Sequence, residues 1–240
     1  MQADPSVRDT DADWRELGAS QPYWGVITHP DYRTENLTDQ ALDAFYASGV
    51  HYIDDIAGRL ERATGHAPKG QALDFGCGTG RLAEAMARRA MVTGYDISPG
   101  MLEKARARQS GVAYCDILPD GPFDWINSYI VLQHIPPTRG MGLIGDLLAR
   151  LAPGGQVSLH LTVWREDHLV PASATGWRAV VRRVLPRTPP SGTISMYDYD
   201  LSAVCRLLNR AGVTELTLVE TDHGGHHGVI ILGRKTGGVA

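Results

Sequence analysis

"LDFGCGTG", Leu73 to Gly80, is the stretch on which the fold turns. The apolar run that leads into it, Ala72 to Phe75, reads as a buried strand, and Arg81 to Arg89 behind it carry apolar residues at helical spacing. Glycines at 76, 78 and 80, between strand and helix, put backbone where a nucleotide-like ligand approaches closely. Twenty residues past Gly76, Asp96 ends a second strand, "MVTGYD", where one carboxylate can accept hydrogen bonds from both hydroxyls of a ribose. Dinucleotide dehydrogenases share that spacing, so the loop itself has to discriminate. A pyrophosphate loop needs glycine at its sixth position, which here is Arg81. An acid, Asp74, stands instead two residues before the first glycine, so the pattern fits a nucleoside ligand without phosphate.

Outward from the loop, strands and helices alternate. Ser98-Pro99 is an N-cap and first-turn proline for a helix through Met101, Leu102 and Ala105. A third strand, "GVAYCD", ends at Asp116, and a fourth, "FDWINSYI", runs into "VLQHIPP". Met141, Ile144, Leu147, Leu148 and Leu151 then share a helix face, stopped by Pro153-Gly154-Gly155 ahead of the fifth strand, "QVSLHLTV". A helix from about Asp200 to Ala211 and two strands, "VTELTLVE" and "HGVIILGR", close the pattern. This rhythm predicts an α/β fold with a mostly parallel sheet and helices on both faces. Residues 1–66 read as an N-terminal segment and cap and 67–240 as the ligand-binding domain, with an insertion at 164–197 over the site. The first twenty residues read as loosely ordered. Thr38 caps a helix carrying Leu42, Phe45, Ile53, Ile56 and Leu60 as far as Gly65. Within the insertion, Trp177, Val180, Val181, Val184 and Leu185 recur at helical spacing.

With 240 residues the chain can bury one sizeable core, and its net charge of −4 gives no reason to expect nucleic acid or an anionic membrane as a partner. Three cysteines without a CxxC pair point to a reducing, cytoplasmic setting. The acidic, polar start is not that of a signal peptide, and no window approaches the ~20 apolar residues of a membrane span.

Five motifs in order, "LDFGCGTG", "GYDISPGML", "YCDI", "FDWINSYIVLQHIPP" and "LAPGGQVSL", make the chain resemble the class I S-adenosylmethionine (SAM)-dependent methyltransferases. The resemblance implies an enzyme with a Rossmann-like, seven-stranded sheet whose C-terminal hairpin adds an antiparallel strand. It implies SAM as the methyl donor, held by the loop residues Asp74, Gly76, Cys77, Gly78 and Gly80. Asp96 would hold the ribose, Ile97 and Met101 would flank the adenine, Asp116 would meet its amino group, and Ile117 and Tyr129 would complete the set. A second resemblance, carried by "PYWGVITHPDYRTENLT", "MYDYDLSAVCRLLNRAGV" and "TDHGGHHGVIILGRK", is to bacterial sugar O-methyltransferases of methylmannose polysaccharide synthesis. It implies a mannoside or short oligosaccharide as acceptor, and it admits a divalent cation such as magnesium, with Asp222 as one ligand. Methylation of nitrogen or oxygen on another small metabolite, and a SAM-binding module without catalysis, are the alternatives.

Methyl transfer from a sulfonium is an in-line displacement, and an alcohol acceptor gains from a base of near-neutral pKa. His134, just past the fourth strand at the carboxyl edge of the sheet, is the candidate; the alternative is a histidine that caps the next helix or hydrogen-bonds the backbone before Pro136-Pro137. Gln133, Trp164, Tyr197 and Tyr199 are candidate acceptor contacts or ordinary packing, and Tyr23 and Trp24 a candidate lid. In "TDHGGHHG" a two-residue Gly224-Gly225 turn would set His223 opposite His226 and Asp222 opposite His227, on opposite faces. One pair would then face the acceptor. A metal site, for which three or more protein ligands are usual, would need a distant histidine such as His134 or His160.

Overall fold

The computed structural model describes residues 9–169 and 194–236. Helices α1 (Thr10–Ser20), α2 (Pro22–Val26) and α3 (Asp39–Thr64) precede the sheet. Then follow β1 (Gln71–Phe75), α4 (Arg81–Met86), β2 (Met91–Tyr95), α5 (Pro99–Ala107), β3 (Ala113–Cys115), β4 (Phe123–Ser128), α6 (Pro137–Ala149) and β5 (Leu151–Arg165). Helix α7 (Leu201–Arg210) and strands β6 (Val213–Asp222) and β7 (His226–Lys235) complete the described chain. The seven strands form one sheet in the order β3-β2-β1-β4-β5-β7-β6, with β7 antiparallel to both of its neighbours and the other pairs parallel.

Strand alternation divides the core in two. Leu73, Phe75 and Ile126 face one layer with Ile144, Leu147 and Leu148 of α6 and Val204 and Leu208 of α7. Ala72 and Trp125 face the other, with Ile53, Ile56 and Leu60 of α3 and Leu82, Ala83 and Met86 of α4. Both faces are thus covered, as parallel strands require. α3 keeps the ends its sequence announces: the Thr38 hydroxyl accepts from Ala41 N, and Gly65 stops it in the left-handed conformation at φ 72.

Four details differ from the sequence reading. The first twenty residues are not all loose: Asp9 accepts from Asp11 N and Ala12 N and starts α1, whose buried side is Thr10, Asp13, Leu17 and Gly18. That side is small and polar because it packs against a helix rather than into the apolar core; a Cβ on Gly100 of α5 would collide with the Gly18 carbonyl. α4 is shorter than Arg81 to Arg89, and Leu151 begins β5 rather than ending α6. The Pro153-Gly154-Gly155 turn lies inside β5, beside an irregularity in its pairing with β4, with Gly154 at φ 78. The helical pattern expected at Trp177 to Leu185 falls outside the described residues. No described helix is long and apolar enough to cross a membrane.

Candidate active site

The crossover from β1 leads to β2 on one side, while β4 lies on the other, so the carboxyl ends of β1 and β4 form the topological switch point where open α/β sheets bind ligands. A pocket opens there. Nine of the residues expected to contact SAM or act on the acceptor line it together: Asp74, Gly76, Cys77, Gly78, Asp96, Ile97, Met101, Tyr129 and His134.

The loop after β1 is held by Gly76 N and Cys77 N, which both donate to Tyr95 O at 2.8 and 2.9 Å. Gly76, at φ 76, lies so close to Val131 that a Cβ would collide with that side chain. The loop in turn fixes Asp96, which accepts from Gly78 N and Ser98 N, both at 2.8 Å. Burial pushes the Asp96 carboxyl up, and these backbone donors oppose the shift. Each carboxylate oxygen keeps a second lone pair, so the group can still accept from a cis-diol.

Asp74 belongs to a buried polar chain. Asn127 Nδ2 donates to Asp74 Oδ1 at 2.9 Å, Ser158 Oγ to Asn127 Oδ1 at 2.7 Å, and Trp125 Nε1 to Ser158 Oγ at 3.0 Å. The other oxygen, Oδ2, has no hydrogen-bond partner among the described residues, and burial raises the carboxyl to about 6. Arg81 lines the same pocket; it donates to Ser48 Oγ at 3.1 Å, while its buried Nε has no hydrogen-bond partner among the described residues. A buried acid and a buried guanidinium, each with free hydrogen-bonding capacity, suit a ligand that carries both charges.

His134 sits on a 3₁₀ turn, Leu132–His134, and is 5% exposed. Its Nδ1 lies 2.7 Å from Ser195 O. A carbonyl only accepts, so Nδ1 carries the proton and Nε2 the lone pair. Burial pulls the pKa to about 4, against the Ser195 hydrogen bond and with the help of nearby His226, so the ring is neutral at pH 7. The Trp14 ring packs on it at 5.0 Å and 58°.

The remaining candidates are distributed as follows. Gly80, at φ 87, is the N-cap of α4, packed beside Tyr114. Asp116 and Ile117 lie in the loop after β3, exposed and outside the pocket lining. Tyr23 packs edge-on to Phe45 at 5.4 Å and Trp24 lies under Arg33 at 4.5 Å, while their neighbours Gly25 and Val26 line the pocket. Gln133 is buried, accepts from Thr162 Oγ1 at 3.1 Å and, through its backbone carbonyl, from Tyr197 N at 2.7 Å. The Tyr199 hydroxyl is used on the carbonyls of Leu132 and Ile135, at 2.9 and 2.8 Å.

In the hairpin, Gly224 and Gly225 have φ 66 and 86, His223 N donates to His226 O at 3.1 Å, and Asp222 pairs with His227. His223 packs against His160 and Tyr129, with ring centroids 5.3 and 6.2 Å apart. His227 belongs to another group: it stacks on Trp164 at 3.8 Å and 12° and lies 3.7 Å from Glu166. Asp222 accepts from Gly225 N at 2.8 Å. Among the described residues no three His, Cys, Asp or Glu side chains are grouped to hold a metal ion.

Among the pocket residues to which the sequence assigned no ligand contact are Trp14, Arg81 and Arg139. The last pairs with Asp11, and both of that pair line the pocket. Arg81 could have been found as the residue standing where a pyrophosphate loop has glycine. Trp14 could not, because its place depends on how α1 docks.

The family model described as "Methyltransferase domain" matches residues 72–155. Among curated proteins, trans-aconitate 2-methyltransferase of Methylobacterium nodulans is 35% identical over 99 residues, 38% of this chain and 38% of that protein. Ubiquinone biosynthesis O-methyltransferase of Xylella fastidiosa is 33% identical over 196 residues, 70% of this chain and 75% of that one. The chain spans about half or less of the length of the first curated relatives it matches. A crystal structure of magnesium protoporphyrin IX methyltransferase from Synechocystis with bound S-adenosylhomocysteine (SAH) superposes with a TM-score of 0.64 at 16% identity, covering 95% of this chain and 100% of that one.

Proposed function

The chain belongs to the class I SAM-dependent methyltransferases, and from that premise we propose that it methylates a hydroxyl of a small acceptor, a sugar or short oligosaccharide, with His134 as general base. The observation that carries this reading is the state of His134: neutral, with Nδ1–H anchored on Ser195 O and Nε2 left as acceptor on a ring that lines the pocket.

The donor site fits SAM on its own chemistry. Asp74 Oδ2 and Arg81 Nε are buried and, among the described residues, without hydrogen-bond partners, and Asp96 keeps lone pairs for a diol. When bound, SAM supplies an electrophilic methyl group on sulfur. Asp96 would hold the ribose, Ile97 and Met101 would flank the base, and the tight loop at Gly76 would let the methionine part lie close to the strand ends. His134 would accept the hydroxyl proton. Its low basicity is compatible with this role, because the acceptor proton becomes strongly acidic only as the new carbon–oxygen bond forms, and transfer late in that step needs only a weak base. Trp14, whose ring packs on that of His134, would help to limit water around the base.

The sugar assignment is supported by the narrower sequence resemblance and by the polar edge of Tyr129, His160, His223 and His226 beside the pocket. A second reading, a hydroxyl on a more apolar metabolite, is favoured by Trp14, Val131, Ile135 and Leu143 in the lining. The hydroxyl acceptor common to both is supported by the relative named as an O-methyltransferase.

The test is an acceptor screen that follows conversion of SAM to SAH, with defined oligosaccharides and phenols, with and without chelator. His134→Ala should lower kcat by ~10²–10⁴-fold and leave SAH affinity intact. Unchanged turnover in that variant would remove the base from the mechanism, and loss of all SAH binding would mean the substitution damaged the pocket.

A further inference from the structure

We infer that Arg165 and Asp198 are positioning residues for methyl transfer, because their ion pair fixes the chain segment whose Ser195 carbonyl selects the tautomer of His134. This inference rests on His134 being the base.

A neutral imidazole has two tautomers, and only the one with the proton on Nδ1 leaves Nε2 able to take a proton. In solution water serves either tautomer. Here the ring is 5% exposed, so the group at Nδ1 decides, and that group is Ser195 O at 2.7 Å. Ser195 belongs to no helix or strand; among the described residues, the bonds that hold its segment lie just downstream in the chain.

Arg165, the last residue of β5, supplies three of them. Its Nε and Nη2 donate to Asp198 Oδ1 and Oδ2, both at 2.8 Å, and its Nη1 donates to Met196 O at 3.1 Å. Met196 is the residue next to Ser195, so one planar guanidinium holds the peptide adjoining the carbonyl and, two residues further on, the acid that orients the guanidinium. The same segment is attached to the turn that carries His134, where Tyr197 N donates to Gln133 O at 2.7 Å and the Tyr199 hydroxyl to Leu132 O and Ile135 O, and to β5, where Tyr199 N donates to Thr162 O at 2.9 Å. The histidine and the carbonyl are thereby held in one frame; Arg165 reaches the backbone of the carbonyl's neighbour, Met196, and Gln133 Nε2 reaches its sulfur at 3.4 Å. The Arg165 side chain is 15% exposed and that of Asp198 32%, which sets the pair apart from the solvated ion pairs elsewhere on the surface.

The arrangement does with a backbone carbonyl what a carboxylate does for the histidine of a hydrolase triad, where the wrong tautomer abolishes most of the activity. Neither Arg165 nor Asp198 lines the pocket that would hold SAM, so their effect should fall on the chemical step.

The experiment is made on the full-length protein with Arg165→Met, Asp198→Asn and Arg165→Lys. Histidine ¹⁵N shifts at pH 7, assigned with His134→Gln, report the tautomer directly, and SAH titration and melting temperature report folding and the donor site. The wild type should show protonated Nδ1 and bare Nε2. All three variants should bind SAH as the wild type does, show mixed His134 tautomers and lose ~10-fold or more in kcat with little change in KM for SAM. Lysine should fail to rescue, since it cannot make the two parallel bonds to Asp198. Wild-type ¹⁵N shifts in the folded variants, or unchanged kcat, would overturn the inference. Mixed tautomers in the clamp variants together with full turnover in His134→Gln would uphold the clamp's hold on the ring and sink the base.

Discussion

Two buried histidines make the unliganded protein sensitive to mild acid, and the size of the effect tests whether His134 is neutral. His134 and His160 are both held below their ordinary 6.5, at about 4 and about 3, chiefly by burial. The unfolded chain takes up a proton on each below pH 6.5, while the folded chain does so only near the lowered values. The unfolded state therefore binds more protons across this window, and stability falls as pH falls. At about 1.4 kcal/mol per pH unit, acting between 6.5 and 5, each histidine removes about 2 kcal/mol on going from pH 7 to pH 5. Asp74 works the other way. Its carboxyl, raised by burial to about 6 from 3.8, is protonated in the folded state first, and returns about 1 kcal/mol over the same interval. These three groups together give an expected loss of about 2 to 3 kcal/mol, a large share of the stability of a typical domain; His223, also lowered by burial, adds to it, and Asp96, raised by burial, opposes it. Urea unfolding at pH 7, 6 and 5 without SAM measures it. His134→Gln should be less pH-sensitive than the wild type by about 2 kcal/mol over that range, and so should His160→Gln. If both variants keep the wild-type pH dependence, or the wild type is as stable at pH 5 as at pH 7, the histidines are not buried as neutral rings and the state assigned to His134 is wrong.

Two further outcomes concern the donor site and its cover. Arg81→Gln should weaken SAH binding by ~10- to 100-fold, the worth of a charge-assisted hydrogen bond, while leaving 5′-methylthioadenosine, which has no carboxylate, bound as before; calorimetry with the two ligands checks it, and equal losses would place the guanidinium elsewhere. Gly100→Ala puts a methyl group against the Gly18 carbonyl and should loosen α1 from α5 at a cost of about 1 to 3 kcal/mol, moving Trp14 off His134 and shifting tryptophan emission to longer wavelength. An unshifted spectrum and melting temperature would show that α1 accommodates the methyl group.

What could be read from the sequence followed how each part is held. The sheet could be read because parallel strands are buried on both faces and leave continuous apolar runs, and the loop because Gly76, beside Val131, and Gly80, beside Tyr114, lie where a Cβ would collide. Asp74 and Asp96 could be read because they end strands at fixed offsets from that loop. α1 could not. Its inner side, Thr10, Asp13, Leu17 and Gly18, has helical spacing but almost no hydrophobic signal, since it docks by close backbone approach to Gly100 instead of by apolar burial. Trp14 was hidden with it. Arg165 and Asp198 were invisible for a different reason: they are 33 residues apart, and their pairing exists only because the end of β5 and the segment before α7 return to the same turn. The donor site therefore lies in local patterns of glycine and acid that one strand and one loop specify. The proposed control of His134 rests on contacts between residues far apart in the chain, which local sequence patterns do not record, so a motif search passes over Arg165 and Asp198.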